Sequence, residues 1–355
     1  MTHARADDEL PTVTPELPGT GGELKSSPEH FVVDEVPLYE PSGAGEHVYL
    51  RIERAGWSTR DLAVRLARLA GVSERDVGYA GLKDKVARAT QSFSLPWRAE
   101  PAELARRVEG ELGVVVRSAA RHGNKLRRGH LAGNRFDLVV TGVEAEALER
   151  ARAIGARLLE TGVANLYGEQ RLGARGEHAR RGERDLAAPK RTFASRFALN
   201  AFQAALFNQV VARRMERGWL DRVLSGDVAK KTVNGALFDV VDEALEAPRA
   251  AAREIVATGP MFGGAMKPAH GVPGELEAAV LAESGASLED FARARLDGTR
   301  RAVRVFLADL AIEAHPLGLR VAFRLPKGSY ATVVMREFTK RGGSAGAELT
   351  ELDEE

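Results

Sequence analysis

Strand-like alternation clusters in the first 140 and the last 40 residues of this 355-residue chain, and helical periodicity fills the stretch between. A sheet begun early must then be completed by strands from the far end of the chain. That pattern predicts an α+β domain with a largely helical insertion. Residues 47–54 alternate, with Val48, Leu50 and Ile52 on one face. Ser58 and Asp61 open a helix carrying Leu62, Leu66 and Leu69 at helical spacing. Residues 90–95, 114–116 and 136–141 read as short strands. Residues 101–112, 144–160 and 200–217 read as helices, the last with Phe202, Leu206 and Val210 in register. Residues 276–283 and 288–310 read as mostly helical. Residues 320–325 and 330–338 return to strand character across a Pro-Lys-Gly-Ser turn. Residues 1–22 and 342–355 have tail-like composition and are expected to be mobile.

Composition narrows the chemistry. There is no cysteine, which excludes disulfides, a thiolate nucleophile, an iron–sulfur cluster and cysteine-built zinc sites. No apolar run is long enough for a membrane helix. Charges occupy residues 1–10 where a signal peptide needs apolar residues, so the expectation is a soluble, cytoplasmic protein. The net charge of +1 hides an uneven distribution. Six Arg or Lys and no acid lie between Arg117 and Arg135, and five carboxylates fall in the last eight residues. The body is thus more basic than the total, which favours a polyanionic partner, while a solvated surface accounts equally well for either basic patch alone. Walker A, HExxH and complete GxGxxG strings are absent. A GxSxG string at 342–346 lies in the tail, without the strand, helix and later His that a nucleophile elbow needs.

Two segments carry chemistry-bearing residues. The first runs from Gly78 to Gln91 and sets Asp84 between Lys83 and Lys85 after a Gly pair. Flanking cations keep such a carboxylate ionised and able to act as nucleophile or general base. The same spacing also suits a turn Asp bonded to its own backbone. The second, from His122 to Phe136, is basic and Gly-punctuated. Its Asn134 and Phe136 can read and stack on a base, or begin a core strand. Lys83, Lys85, Lys125, Arg127 and Arg128 are the candidate RNA phosphate contacts.

Together with a third stretch, Lys25 to Glu35, these segments resemble the TruD family of RNA pseudouridine synthases. Six motifs stand in family order. They are the Lys25-x-x-Pro28-Glu29-His30-Phe31 stretch, the Gly81-Leu82-Lys83-Asp84 string, the loop ending Gly133-Asn134-Arg135-Phe136, residues 165–173, residues 205–208, and residues 324–338. His30 stands where the family usually has Asp, and Leu166, Tyr167 and Leu172 vary the fourth motif's aromatics. The resemblance implies a pseudouridine-synthase catalytic domain, 23–155 and 306–341, on a mixed, mainly antiparallel sheet with flanking helices. A largely helical TruD-specific domain, 156–305, is inserted into it. It implies isomerisation of uridine 13 in tRNA(Glu) with no cofactor, with tRNA as partner and no metal, membrane or obligate protein partner. Asp84 is the implied catalytic carboxylate and Lys25 its basic partner. Phe136 is the implied stacking ring, Asn134 its neighbour and Phe31 a second pocket aromatic. Alternatives are action on another RNA site, a non-catalytic RNA binder, or a hydrolase pairing Asp84 with Glu35.

Overall fold

A computed structural model describes residues 10–24 and 27–340. The expected acidic tail and Lys25 lie outside the described residues. The chain divides into two compact units. One contains Thr20–Leu148 and Ala308–Gly328, and the other contains Glu149–Leu307 with residues 10–19 and 329–340.

The first unit begins with β1 (Gly21–Glu23), β2 (Phe31–Pro37), β3 (His47–Arg54), β4 (Gly78–Tyr79), β5 (Arg88–Pro96), β6 (Val115–His122) and β7 (Leu131–Val143). Two helices interrupt them, α1 (Thr59–Ala70) and α2 (Pro101–Leu112). Ser58 caps α1 by accepting the Asp61 N–H at 3.0 Å, and Gly71 ends it in the left-handed conformation at φ 69°. Leu62, Leu66 and Leu69 of α1 and Leu104 and Val108 of α2 then cover Val48, Leu50, Ile52, Phe93 and Leu95 of the sheet. The alternation of β3 thus becomes a core face because the two helices supply the opposing apolar stripe.

The second unit carries α3 (Ala147–Thr161, whose first two residues belong to the first unit), β8 (Val163–Ala164), α4 (Glu169–Leu172), α5 (Glu177–Ala187) and α6 (Phe193–Glu216). It continues through β9 (Val228–Lys231), β10 (Leu237–Asp239), α7 (Glu243–Ala251), β11 (Ile255–Met261), α8 (Gly271–Glu283), α9 (Leu288–Arg293), β12 (Thr299–Ala302) and β13 (Arg304–Val305). These helices accompany a four-stranded sheet of order β10-β9-β11-β12. Gly182 lets α5 lie against α6, since a Cβ there would collide with the Ala198 carbonyl oxygen. Residues 288–310, expected to be helical, keep a helix only as far as Arg293. Beyond it Arg300 is buried and paired with Glu277 at 2.7 Å, and the backbone pairs with β11 instead.

Two strands return the chain to the first sheet, β14 (Ala308–His315) and β15 (Gly318–Pro326). The sheet path is β14-β15-β7-β2-β5-β3-β6, with β1 also on β7 and β4 also on β5. Of these pairs only β2 with β5 is parallel. Because β3 takes one whole edge of β5, β2 and β4 share the other. Gln91 and Ser92 lie in the gap between them.

The last described helix, α10 (Ala331–Thr339), corrects the expected strand over 330–338. Ala331, Val334, Met335 and Phe338 are its buried face, spaced 3, 1 and 3 residues apart. That helical phase outweighs the β-branched pair Val333-Val334. Residues 10–22, read as tail, are packed. Thr14 is fully buried and donates to the Glu337 carboxylate through N–H and hydroxyl at 3.3 and 3.0 Å, and Gly21–Glu23 pairs with β7.

Candidate active site

Asp84 sits half-buried in the loop between β4 and β5. Its Oδ1 accepts the Val86 N–H at 3.1 Å, so the local turn is real. The loop is also gripped from below by three buried side chains. Arg54, at the end of β3, is 2% exposed. Its guanidinium donates to the carbonyls of Asp84 and Lys83, each at 2.8 Å. Thr59, at the start of α1, accepts the Lys83 N–H at 2.9 Å and donates to Gln91 Oε1 at 2.9 Å. Gln91 donates in turn to the Gly81 carbonyl at 3.1 Å. Burial pulls the Arg54 guanidinium down to about 10, against the opposing pull of the Asp84 charge.

Lys83 has a different place from the one its sequence position suggests. Its side chain is 5% exposed, and its ammonium donates to Glu35 Oε2 at 2.9 Å. Glu35, 1% exposed, also accepts the Ser92 N–H through Oε1 at 3.1 Å. The pair therefore fills the gap between β2 and β4 and satisfies a backbone donor stranded there. Lys83 has little ammonium surface left for a phosphate. Glu35 has both oxygens engaged, which disfavours the paired-carboxylate hydrolase.

From Glu35 the register leads to the aromatic residues. Glu35 stands opposite Asn134, and Val33 opposite Phe136, on the paired strands β2 and β7. Phe31 and Phe136 meet edge to face with centroids 6.5 Å apart, and Phe136 tilts against Phe323 at 5.5 Å. Both predicted rings are buried, at 4% and 7% exposure. Asn134 Oδ1 is buried and has no hydrogen-bond partner among the described residues. An unpaired buried amide oxygen is costly unless a ligand or water meets it.

The remaining cations scatter along the loops. Lys85 and Arg127 are exposed. Arg128 lies over the Tyr79 ring at 5.6 Å, and Lys125 Nζ donates to the Arg75 carbonyl. Sequence reasoning missed Arg54 and Thr59. The signal for Arg54 was a charge in the apolar phase of β3, after Val48, Leu50 and Ile52.

A model of the family described as tRNA pseudouridine synthase D (TruD) matches residues 10–184 and 190–338. The chain belongs to the TruD family. It is 46% identical over 358 residues to the tRNA pseudouridine synthase D of Anaeromyxobacter sp. strain Fw109-5, covering 98% of this chain and 99% of that one. It is 44% identical over 336 residues to a tRNA pseudouridine synthase D of Thermus thermophilus, covering 94% and 93%. The crystal structure of a TruD-assigned protein from Methanosarcina mazei superposes with a TM-score of 0.74 at 22% identity, covering 97% and 99%, which shows the TruD fold. Among the described residues no helix is long and apolar enough to cross a membrane.

Proposed function

We propose that this TruD-family chain is a tRNA pseudouridine synthase that isomerises uridine 13 of tRNA(Glu), with Asp84 as its catalytic carboxylate. The observation that carries the assignment is the setting of Asp84. It follows Lys83 directly, and the Lys83–Glu35 pair reaches the strand register that holds Asn134 and Phe136. The loop between is fixed by buried hydrogen bonds.

The reaction breaks N1–C1′, turns the uracil while bound, and forms C5–C1′. The C5 proton leaves and N1 gains one, so atoms and charge balance without a redox change. Asp84 can attack C1′, add to C6, or take the C2′ proton, and it is the simplest base for the C5 proton. The target base must leave its stack to be reached. Phe136 is assigned as the ring that stacks on the base and Phe31 as a second pocket aromatic, and Asn134 offers its unpaired amide oxygen to a base N–H. Lys25 is assigned as the cation that orients Asp84. Lys85, Lys125, Arg127 and Arg128 are assigned to backbone phosphates.

Incubation with C5-tritiated tRNA(Glu) transcript tests this. Wild-type protein releases tritium, and Asp84→Asn releases none above background. Release at the wild-type rate by Asp84→Asn removes the catalytic assignment. Release from a transcript with cytidine at position 13 moves the target elsewhere.

A further inference from the structure

We propose that Arg54 is a positioning residue for Asp84, clamping the backbone on either side of the reactive residue so that its carboxylate is delivered in one orientation. The proposal rests on Asp84 being the catalytic group.

The geometry is that of a fork on two successive carbonyls. The two terminal nitrogens of Arg54 hold the Asp84 and Lys83 oxygens at 2.8 Å each. The second nitrogen also reaches Thr59 Oγ1 and Gln91 Oε1, both at 3.4 Å. Carbonyls of neighbouring residues point apart in an extended chain. Turning both onto one planar cation fixes the Asp84 peptide plane and with it the direction of the Cα–Cβ bond. An ammonium, a point donor on a flexible stem, cannot reproduce that pairing of acceptors.

Structure alone does not require a charge here. Arg54 continues the phase of Val48, Leu50 and Ile52, all of which are fully buried. A buried guanidinium carries a desolvation cost that an ion pair usually offsets. Among the described residues no carboxylate lies within 4 Å of Arg54. The acid whose charge bears on it is Asp84 itself. The cation is therefore built around the loop and its acid rather than around the sheet.

The test uses full-length protein and steady-state tritium release from tRNA(Glu) transcript, with circular dichroism at the assay temperature to check folding. Wild type and Asp84→Asn are run first. If Asp84→Asn keeps wild-type activity, the catalytic assignment fails before Arg54 is considered. Given an inactive Asp84→Asn, Arg54→Gln is expected to lower kcat about 100-fold and Arg54→Lys about 10-fold, in line with the cost of an ångström-scale misplacement. KM for tRNA should stay within about twofold in both, since Arg54 offers the RNA no surface. If Arg54→Gln does not fold, Arg54→Lys decides alone. A folded variant with kcat within about twofold of wild type, or one whose loss lies in KM, overturns the proposal.

Discussion

Replacing Lys83 by Met separates two readings of the same side chain. In the structure Lys83 is a buried partner of Glu35, at 2.9 Å and 5% and 1% exposure. Met keeps the apolar stem and removes the charge, leaving the Glu35 carboxylate buried with its Ser92 N–H bond but no counter-ion. Breaking a buried pair from one side costs about 3–5 kcal/mol. For a unit of this size each kcal/mol moves the melting temperature about 2–4 °C, so a fall of roughly 6–20 °C is expected. Adding Glu35→Gln removes the stranded charge and keeps an acceptor for Ser92, so the double variant should regain at least about 1 kcal/mol of the loss. Urea melts of the four proteins give the coupling directly. The salt dependence of tRNA binding supplies the second arm. A buried Lys83 leaves the slope of log K against log salt unchanged, whereas a phosphate contact would reduce it by about one. A Lys83→Met protein as stable as wild type to within about 0.5 kcal/mol, with a shallower salt slope, would refute the burial argument.

Other outcomes follow from the same structure. Arg127 is exposed, so Arg127→Ala should weaken tRNA binding and lower the salt slope by about one, as measured by filter binding. Leu50→Ala, in the fully buried face of β3, should cost about 2–5 kcal/mol in a urea melt, with kcat little changed under conditions where the protein is folded. Burial lowers the His47 imidazole below its ordinary value, chiefly by desolvation and then by Lys125. The unfolded chain therefore takes up the proton first as pH falls below about 6.5, and stability present above that pH is lost below it. The urea midpoint should drop from pH 8 to pH 5, and His47→Gln should flatten the drop. Gly182→Ala should push α5 off α6 and lower the melting temperature, because the backbone it meets cannot yield.

Much of the first unit was legible because its segments are locally consistent. The alternation of 48, 50 and 52 and the capped run 59–70 each need only their own residues to declare themselves. The order of six short motifs pointed to the family, while the pairing that sets Glu35 opposite Asn134, two positions from Phe136, is a matter of register that sequence does not display. What failed depended on partners that sequence does not display. Residues 331–339 are helical because Ala331, Val334, Met335 and Phe338 are buried together, a phase that β-branched content obscured. Residues 299–305 are strands because β11 and β8 are available to pair. Lys83 looked like a surface cation until Glu35, 48 residues away, was seen to cover it. Arg54 was hidden because a charge at a strand end ordinarily faces solvent. Thr14 looked like tail because Glu337 lies 323 residues further on.

The pairing of β7 with β15 joins Gly133 to Pro326 and Thr141 to Gly318. During translation β7 therefore emerges with one row of backbone donors and acceptors unmet, and its mate follows only after some 175 further residues. At roughly 5–20 residues per second that wait is about 9–35 s, long on the scale of hairpin formation and collapse. Throughout it the nascent chain displays an open sheet margin of the kind that recruits stray strands. The first unit thus completes its sheet only after most of the intervening unit has left the ribosome, and a nascent chain stalled before residue 318 should be a substrate for chaperones.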